Sequence, residues 1–316
     1  MRIIDADTTR RHLPFGALID TLRQRFGEGS AGFEVPLRHT HAIGNDGTLL
    51  LMPAWRAGAR LGLKTVGIFP GNAPLGLPGL HSTYLLFDAR TGVPLAMIDG
   101  DVITARRTAA ASALAASYLA RADAGTLLIV GAGRVASLLA AAMSTVRPIT
   151  HVQVWNHRAA SADQLASQLR EQGLDAHACT DLQAAVEQAD IVSCATLSTT
   201  ALIHGAWLRP GTHIDLIGSF TPAMHEADAT CFARSSVFVD TAEALAKSGD
   251  VLQAKAAGAF DDAHLRATLA GLCSGAHAGR ASAAECTLFK AVGSALEDLT
   301  AAELVFDAVL AGESLC

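Results

Sequence analysis

The chain has 316 residues, 50% of them hydrophobic, with 24 Lys and Arg against 30 Asp and Glu and a formal net charge of −6. That length exceeds one ordinary core and favours two domains, while the acidic balance, with no Lys/Arg cluster, excludes a basic surface for nucleic acid or anionic membrane. No apolar run reaches about 18 residues without a charge or breaker, and Met1-Arg-Ile-Ile-Asp5 lacks a basic segment followed by an apolar one, so a soluble cytoplasmic protein is expected.

Residues 14 to 28 begin with Pro14 and repeat Leu18, Leu22 and Phe26 at helical spacing, which predicts an N-terminal helix. From Phe33 to Ile98 the pattern changes to short apolar runs broken by Gly, Pro and Asn: Leu49–Met52, Leu61–Phe69, Tyr84–Phe87 and Pro94–Ile98. These read as antiparallel strands. His39 and His41 would share one strand face, but no third ligand accompanies them and no metal site is expected. Asp99-Gly100-Asp101 opens an alanine-rich helix running to about Ala122.

Thr126-Leu-Leu-Ile-Val130 then joins a buried-strand pattern to Gly131-Ala132-Gly133-Arg134-Val135-Ala136 and a helix. In a Gly-x-Gly-x-x-Ala turn the first glycine permits the tight bend, the second lets backbone approach a pyrophosphate, and the alanine lets helix and strand pack closely. Strand and helix continue in alternation: Ala136–Val146, His151–Trp155, Ala159–Gln172, Leu182–Gln188, Ile191–Cys194, His213–Ile217, Val237–Asp240, with further helices over Ala242–Lys247 and Ala263–Leu269. Alternation of this kind builds one parallel sheet. A last helix, Ala301–Leu310, is followed by no strand and returns to the first domain. The expected architecture is α/β: a Rossmann-type doubly wound domain over 118–289, and an α+β domain of mainly antiparallel strands over 1–117 and 290–316. The six cysteines (Cys179, Cys194, Cys231, Cys273, Cys286 and Cys316) are scattered without a Cys-x-x-Cys pair and read as reduced, mostly buried thiols.

The second parallel strand ends in Asn156-His157-Arg158, where such folds read the ribose. A carboxylate there would hold the ribose hydroxyls of NAD and repel a 2′-phosphate; donors and positive charge instead favour NADP(H), with NAD(H) as the alternative. Thr196 and Ser198 follow the next strand and are expected to hydrogen-bond the cofactor, and Gly218-Ser219-Phe220-Thr221-Pro222 to flank its nicotinamide.

Outside that region stand Val35-Pro-Leu-Arg38, Leu51-Met-Pro53, Gly62-Leu-Lys64, Asp88-Ala-Arg-Thr-Gly92, Asp99-Gly100, Thr104-Ala-Arg-Arg-Thr-Ala-Ala110 and Leu288-Phe-Lys290-Ala-Val-Gly293. Their order and spacing resemble the ornithine cyclodeaminase/μ-crystallin family across nearly the whole chain. The resemblance implies a homodimer, with the domain over 1–117 and 290–316 serving substrate binding and dimerisation around the NAD(P)-binding Rossmann domain. It also implies that Arg38, Lys64 and Arg107 clamp a substrate carboxylate, that Lys64 and Arg107 line the reaction site, and that Thr108 and Lys290 belong to the cofactor end. Arg holds a planar carboxylate bidentately, which orients an amino or imino acid. Taken alone, Arg38 and Arg107 read as solvated charges, whereas Lys64 lies in an apolar strand; Arg106 points elsewhere on the helix.

Two departures narrow the activity. Cyclodeaminases of the family carry an acid three residues before the Pro of Met-Pro and an Asp in the Gly-rich loop; here those positions are Leu50 and Phe220, neither of which does acid–base work. The Gly-Ser-Phe-Thr-Pro form resembles instead the members that reduce Δ1-pyrroline-2-carboxylate or Δ1-piperideine-2-carboxylate to L-proline or L-pipecolate. A reductase of cyclic α-imino acids is therefore expected, with Lys64 or an ordered water as proton donor. The alternatives are an ornithine cyclodeaminase or alanine-type dehydrogenase, and a non-catalytic NADP-holding protein of crystallin type.

Overall fold

Residues 1–29, 32–44 and 46–313 are described by the computed structural model. Their contacts divide the chain into two units, Met1–Arg107 with Ser294–Cys316, and Thr108–Gly293. The divisions fall at 107/108 and 293/294, against the expected 117/118 and 289/290. The first lies inside one continuous helix, where no break in periodicity marks it.

In the first unit, Leu18, Leu22 and Phe26 fold into the expected helix, α2 (Phe15–Gly27), after β1 (Arg2–Ile4) and α1 (Ala6–Arg11). The latter two are too short to show in the hydrophobic pattern; Asp5 caps α1 by accepting from Thr8 N at 2.8 Å. There follow β2 (His39–Ile43), β3 (Gly47–Arg56), β4 (Arg60–Ile68), β5 (Leu80–Asp88), β6 (Pro94–Asp99) and the start of α3 (Gly100–Leu119). The sheet order is β1-β6-β5-β4-β3-β2, antiparallel except that β1 runs parallel to β6.

Strand periodicity splits this sheet's side chains cleanly. Met52, Ala54, Lys64, Val66, Tyr84, Leu86, Ala96 and Ile98 are buried, and the helix α11 (Ala295–Glu313) packs on β3, β4 and α2. That helix begins earlier than the expected Ala301, because Glu297 and Asp298 interrupt its apolar pattern while suiting the positive end of a helix dipole.

The second unit holds the end of α3, then β7 (Thr126–Val130), α4 (Ala136–Ser144), β8 (His151–Trp155), α5 (Ala159–Glu171), β9 (Asp175–Ala178), α6 (Leu182–Gln188), β10 (Ile191–Cys194), β11 (His213–Leu216), α7 (Ala229–Ala233), β12 (Ser236–Val239), α8 (Ala244–Lys247), α9 (Gly249–Ala256), β13 (Leu265–Thr268), α10 (Leu269–Cys273) and β14 (Thr287–Lys290). Its sheet has order β13-β12-β14-β11-β10-β7-β8-β9, and every pairing is parallel. The expected helix over Ala263–Leu269 is not formed. A turn of 3-10 helix at Asp262–His264 leads into β13, and Thr268 caps α10 by accepting from Gly271 N at 3.2 Å. Pairing of β13 along the β12 edge overrides the weak local helix preference of that segment.

Cys179, Cys194, Cys231, Cys273 and Cys286 are free; Cys316 lies outside the described residues. No helix among the described residues is long and apolar enough to cross a membrane.

Candidate functional site

The order in which strands are added to the parallel sheet reverses at β7, with β8 on one side and β10 on the other. Ligands of open α/β sheets bind at the carboxyl ends of the strands flanking such a reversal. Here Gly131 follows β7 with φ +116°, and its N–H donates to Trp155 O at 2.8 Å. A Cβ at Gly131 would stand 2.6 Å from the Ala195 carbonyl oxygen, whereas one at Gly133 would meet nothing within 4 Å. The first glycine is thus demanded by the tight β7/β10 approach, and the second leaves exposed backbone open. Ala132 and Val135 are half-buried and Arg134 is exposed. Ala136, fully buried, starts α4 against β7 with no side-chain cap. An open glycine cradle before an uncapped helix fits a dinucleotide's pyrophosphate.

Asn156 is half-buried at the end of β8 and donates to Arg158 O at 3.2 Å, while His157 and Arg158 are exposed. No carboxylate occupies this stretch. Thr108, on α3, is buried.

The loops after β10 and β11 are joined by a residue absent from the sequence reading, Glu226. One carboxylate oxygen accepts from Thr196 N at 2.7 Å and Thr196 Oγ1 at 2.8 Å; the other accepts from Gly218 N at 2.7 Å. Gly218 has room for no side chain, since its Cβ would lie 1.8 Å from Thr196 O. The Thr196 hydroxyl is therefore spent on Glu226, and Ser198 Oγ donates to Thr200 O at 2.6 Å. Ser219 is enclosed, donating to Met224 O and accepting from Asp250 N at 3.1 Å, while Phe220 is half-exposed. Leu197, 70% exposed, offers apolar surface on the same loop. Burial, opposed by the Lys290 charge, raises the Glu226 carboxyl to about 7. The folded chain there keeps a proton that the unfolded chain releases, so this group's contribution to stability falls as pH rises from the ordinary glutamate range through 7.

Lys290 does not reach the surface. It ends β14 with 0% exposure, and its Nζ lies 3.2 Å from Asp250 Oδ2. The other Asp250 oxygen accepts from Glu226 N at 2.6 Å and Ala227 N at 3.0 Å. All four residues of β14, a strand flanked by β12 and β11, are buried, and Lys290 with them. Its place is behind the loops, bracing Glu226.

In the first unit, Lys64 and Arg107 come together, 2% and 6% exposed. Lys64 sits on β4 between Met52 of β3 and Tyr84 of β5. Its Nζ pairs with Asp298 Oδ2 at 2.7 Å; Arg107 donates from Nε to Asp298 Oδ1 at 2.9 Å and from Nη1 to Glu297 at 2.7 Å. One carboxylate thus spans both cations. Burial first, then Arg107, pull Lys64 down to about 8 against the attraction of Asp298. The two cations hold Asp298 below the usual carboxylate range. Tyr84 Oη is buried without a hydrogen-bond partner among the described residues, and burial together with Asp298 keeps it protonated. Gly62 makes room for it, since a Cβ there would lie 1.8 Å from Tyr84 Oη.

Arg38 is half-buried in the segment before β2, and Arg106 turns away, donating to Leu13 O at 2.7 Å with its guanidinium 4.3 Å from the Phe15 ring centroid. Asp298, Glu297, Tyr84 and Glu226 were missed. The one available signal was a pair of acids on a helix otherwise buried nearly all round, where charges need partners. Among the described residues no three His, Cys, Asp or Glu side chains are grouped to hold a metal ion. His39 and His41 are exposed.

A doubly wound sheet with a glycine cradle, in a chain whose other unit buries basic residues, defines a dinucleotide-binding α/β protein. The profile of the ornithine cyclodeaminase/mu-crystallin family matches residues 5–313, and the chain belongs to that family. A Δ1-pyrroline-2-carboxylate reductase of Paracoccus denitrificans is 42% identical over 261 residues, 82% of this chain and 83% of the relative. The solved structure of the Thermococcus litoralis Δ1-pyrroline-2-carboxylate reductase, in complex with NADH and L-proline, superposes with a TM-score of 0.94 at 32% identity, covering 99% of this chain and 98% of that one. An archaeal alanine dehydrogenase dimer with bound NAD gives 0.93 at 27% identity, covering 99% and 97%. The chain is a nicotinamide-dependent oxidoreductase.

Proposed function

We propose that this protein reduces the C=N bond of a cyclic α-imino acid, Δ1-pyrroline-2-carboxylate or Δ1-piperideine-2-carboxylate, to the cyclic amino acid. The observation that carries the reading is the pairing of Lys64 and Arg107 around one carboxylate, in a unit whose Leu50 position on β3 holds no acid. Phe220 likewise leaves its loop without one. A cyclic imine becomes a strong electrophile once its nitrogen takes a proton, so the protein has to orient it by its carboxylate, exclude water and supply that one proton. Arg38 and Arg107 bind that carboxylate, and Lys64 serves the proton. The reduced dinucleotide, when bound at the Gly131–Ala136 turn, supplies the hydride.

The cofactor is NADP(H) in preference to NAD(H), on the strength of Asn156, His157 and Arg158 and the lack of a carboxylate beside them. The test is a panel of both cyclic imines, pyruvate with ammonia, alanine and ornithine, each with both cofactors. NADPH-dependent imine reduction at least tenfold above the NADH rate is expected, and Arg158→Ala should cost about tenfold in kcat/KM for NADPH, or ~1.4 kcal/mol, with little change for NADH. Turnover of alanine or ornithine alone refutes the reading. Likeness to the alanine dehydrogenase makes amino-acid oxidation the second reading, and the same panel separates the two.

The protein acts as a homodimer through the sheet face opposite α11. Trp55, Leu61 and Phe87 align across β3, β4 and β5, as do Leu63, Leu85 and Met97 across β4, β5 and β6, and all six are half-exposed. Contiguous apolar surface of this kind marks an association site. Light scattering should give the mass of two chains for the wild type and of one for Leu63→Glu; a monomeric wild type removes the proposal.

A further inference from the structure

Lys64 is buried, and an unpaired buried ammonium gives up its proton. Asp298 and Glu297 from α11 and Arg107 from α3 act on its charge, and Tyr84 is its register partner on β5, the adjoining strand. Arg107 repels the ammonium and Tyr84 is neutral. Among the described residues, Asp298 is the acid in contact with the ammonium, at 2.7 Å. The same carboxylate holds Arg107 through its other oxygen, at 2.9 Å, which fixes the distance between the two cations.

We propose that Asp298 is a positioning residue that keeps Lys64 charged and registers it against Arg107, so that Lys64 is the acid that protonates the imine nitrogen. The inference rests on the reductase reading. In the step, an Nζ–H bond of Lys64 breaks as an N–H bond forms on the ring nitrogen. The C=N π pair moves to nitrogen as the carbon accepts hydride, the nicotinamide dinucleotide being the reductant. Lys64 is left as the neutral amine and regains its proton from water. A proton donor must be charged before the step, and a base strong enough to hold its proton in water would release it too slowly. Asp298 places Lys64 between those limits. Its removal leaves two cations facing each other with Glu297 as the remaining acid.

The test has one readout that depends on turnover and one that does not. In wild-type protein with 13C-labelled lysine, the Lys64 ε-carbon should titrate near 8, and the alkaline limb of kcat/KM for Δ1-pyrroline-2-carboxylate should fall at the same pH. In Asp298→Asn both should move down by at least one pH unit. kcat should drop more than tenfold at pH 7.5 and recover in part at pH 6, while KM changes less. Asp298→Glu should restore most of the shift. A Lys64 titration unmoved in Asp298→Asn overturns the proposal, as does a wild-type alkaline limb that departs from the Lys64 titration, which needs no variant to fold. Absence of imine reduction with the Lys64 titration moved as stated overturns the reductase reading and the proton step, leaving the electrostatic role of Asp298 in place.

Discussion

Lys64→Ala should lower kcat/KM for imine reduction by about three orders of magnitude. Loss of a general acid costs ~10²–10⁴, and this change also removes one of the two buried cations that share Asp298. The larger share should fall on kcat, because the proton is needed in the transition state and the carboxylate keeps Arg38 and Arg107. Arg38→Ala should act differently. Arg38 is half-buried on a segment before β2, so its loss should raise KM by about ten- to a hundredfold, as expected for one charge-assisted contact worth ~1.5–3 kcal/mol, with kcat altered little. Steady-state kinetics of both variants against the wild type, with circular dichroism to confirm folding, checks the pair. Unchanged kcat/KM in both variants would falsify the assignment of the basic residues to the substrate.

Lys290→Met should destabilise the protein by about 3–5 kcal/mol, the cost of leaving a buried carboxylate without its counterion. Both side chains of the Lys290–Asp250 pair are fully buried, so solvent cannot replace the lost ammonium. The damage should spread through Asp250 to Glu226, whose backbone N–H Asp250 holds and whose carboxylate ties Thr196 to Gly218. Urea unfolding of Lys290→Met should show the loss, and the double variant Lys290→Met/Asp250→Asn should recover part of it, since the remaining group is then uncharged. The dinucleotide affinity of the folded fraction should change less than tenfold. A variant with wild-type stability and a hundredfold weaker cofactor would instead put Lys290 in contact with the cofactor, as its position in the sequence motif suggested.

Much of the nucleotide half was legible because its signals are local. The runs Thr126–Val130, His151–Trp155 and Ile191–Cys194 are buried strands by composition alone, and a glycine with positive φ leaves its mark as a glycine. Weak segments escaped. Four-residue β9 and β14 show little periodicity, and β14 enters the sheet between β11 and β12, so that β12 separates it from its chain neighbour β13. The 263–269 segment was read as helix because a strand placed on a sheet edge owes its existence to the partner strand.

The candidate site divides along the same line. Residue type and spacing along the chain sufficed for the glycine turn and for the donor-rich end of β8, whereas Leu50, Phe220, Arg38, Lys64 and Arg107 drew attention through the family resemblance of the motifs that hold them. Which charges face each other is a different matter. Asp298 meets Lys64 and Arg107 across 234 and 191 positions of sequence (298 − 64; 298 − 107), and Glu226 meets Gly218 and Thr196 only because the sheet sets two strand ends side by side. Local pattern carries the energy of hydrogen-bonded periodic backbone and apolar burial, and it is written residue by residue. The strength of a charge depends on what lies within a few ångströms in space and on how much water is excluded, and both are decided when distant segments pack. By itself the sequence determined the strand, glycine turn and helix that fit a dinucleotide's pyrophosphate; the tertiary structure decided that Lys290 is buried against Asp250, and that Lys64 has Asp298 beside it.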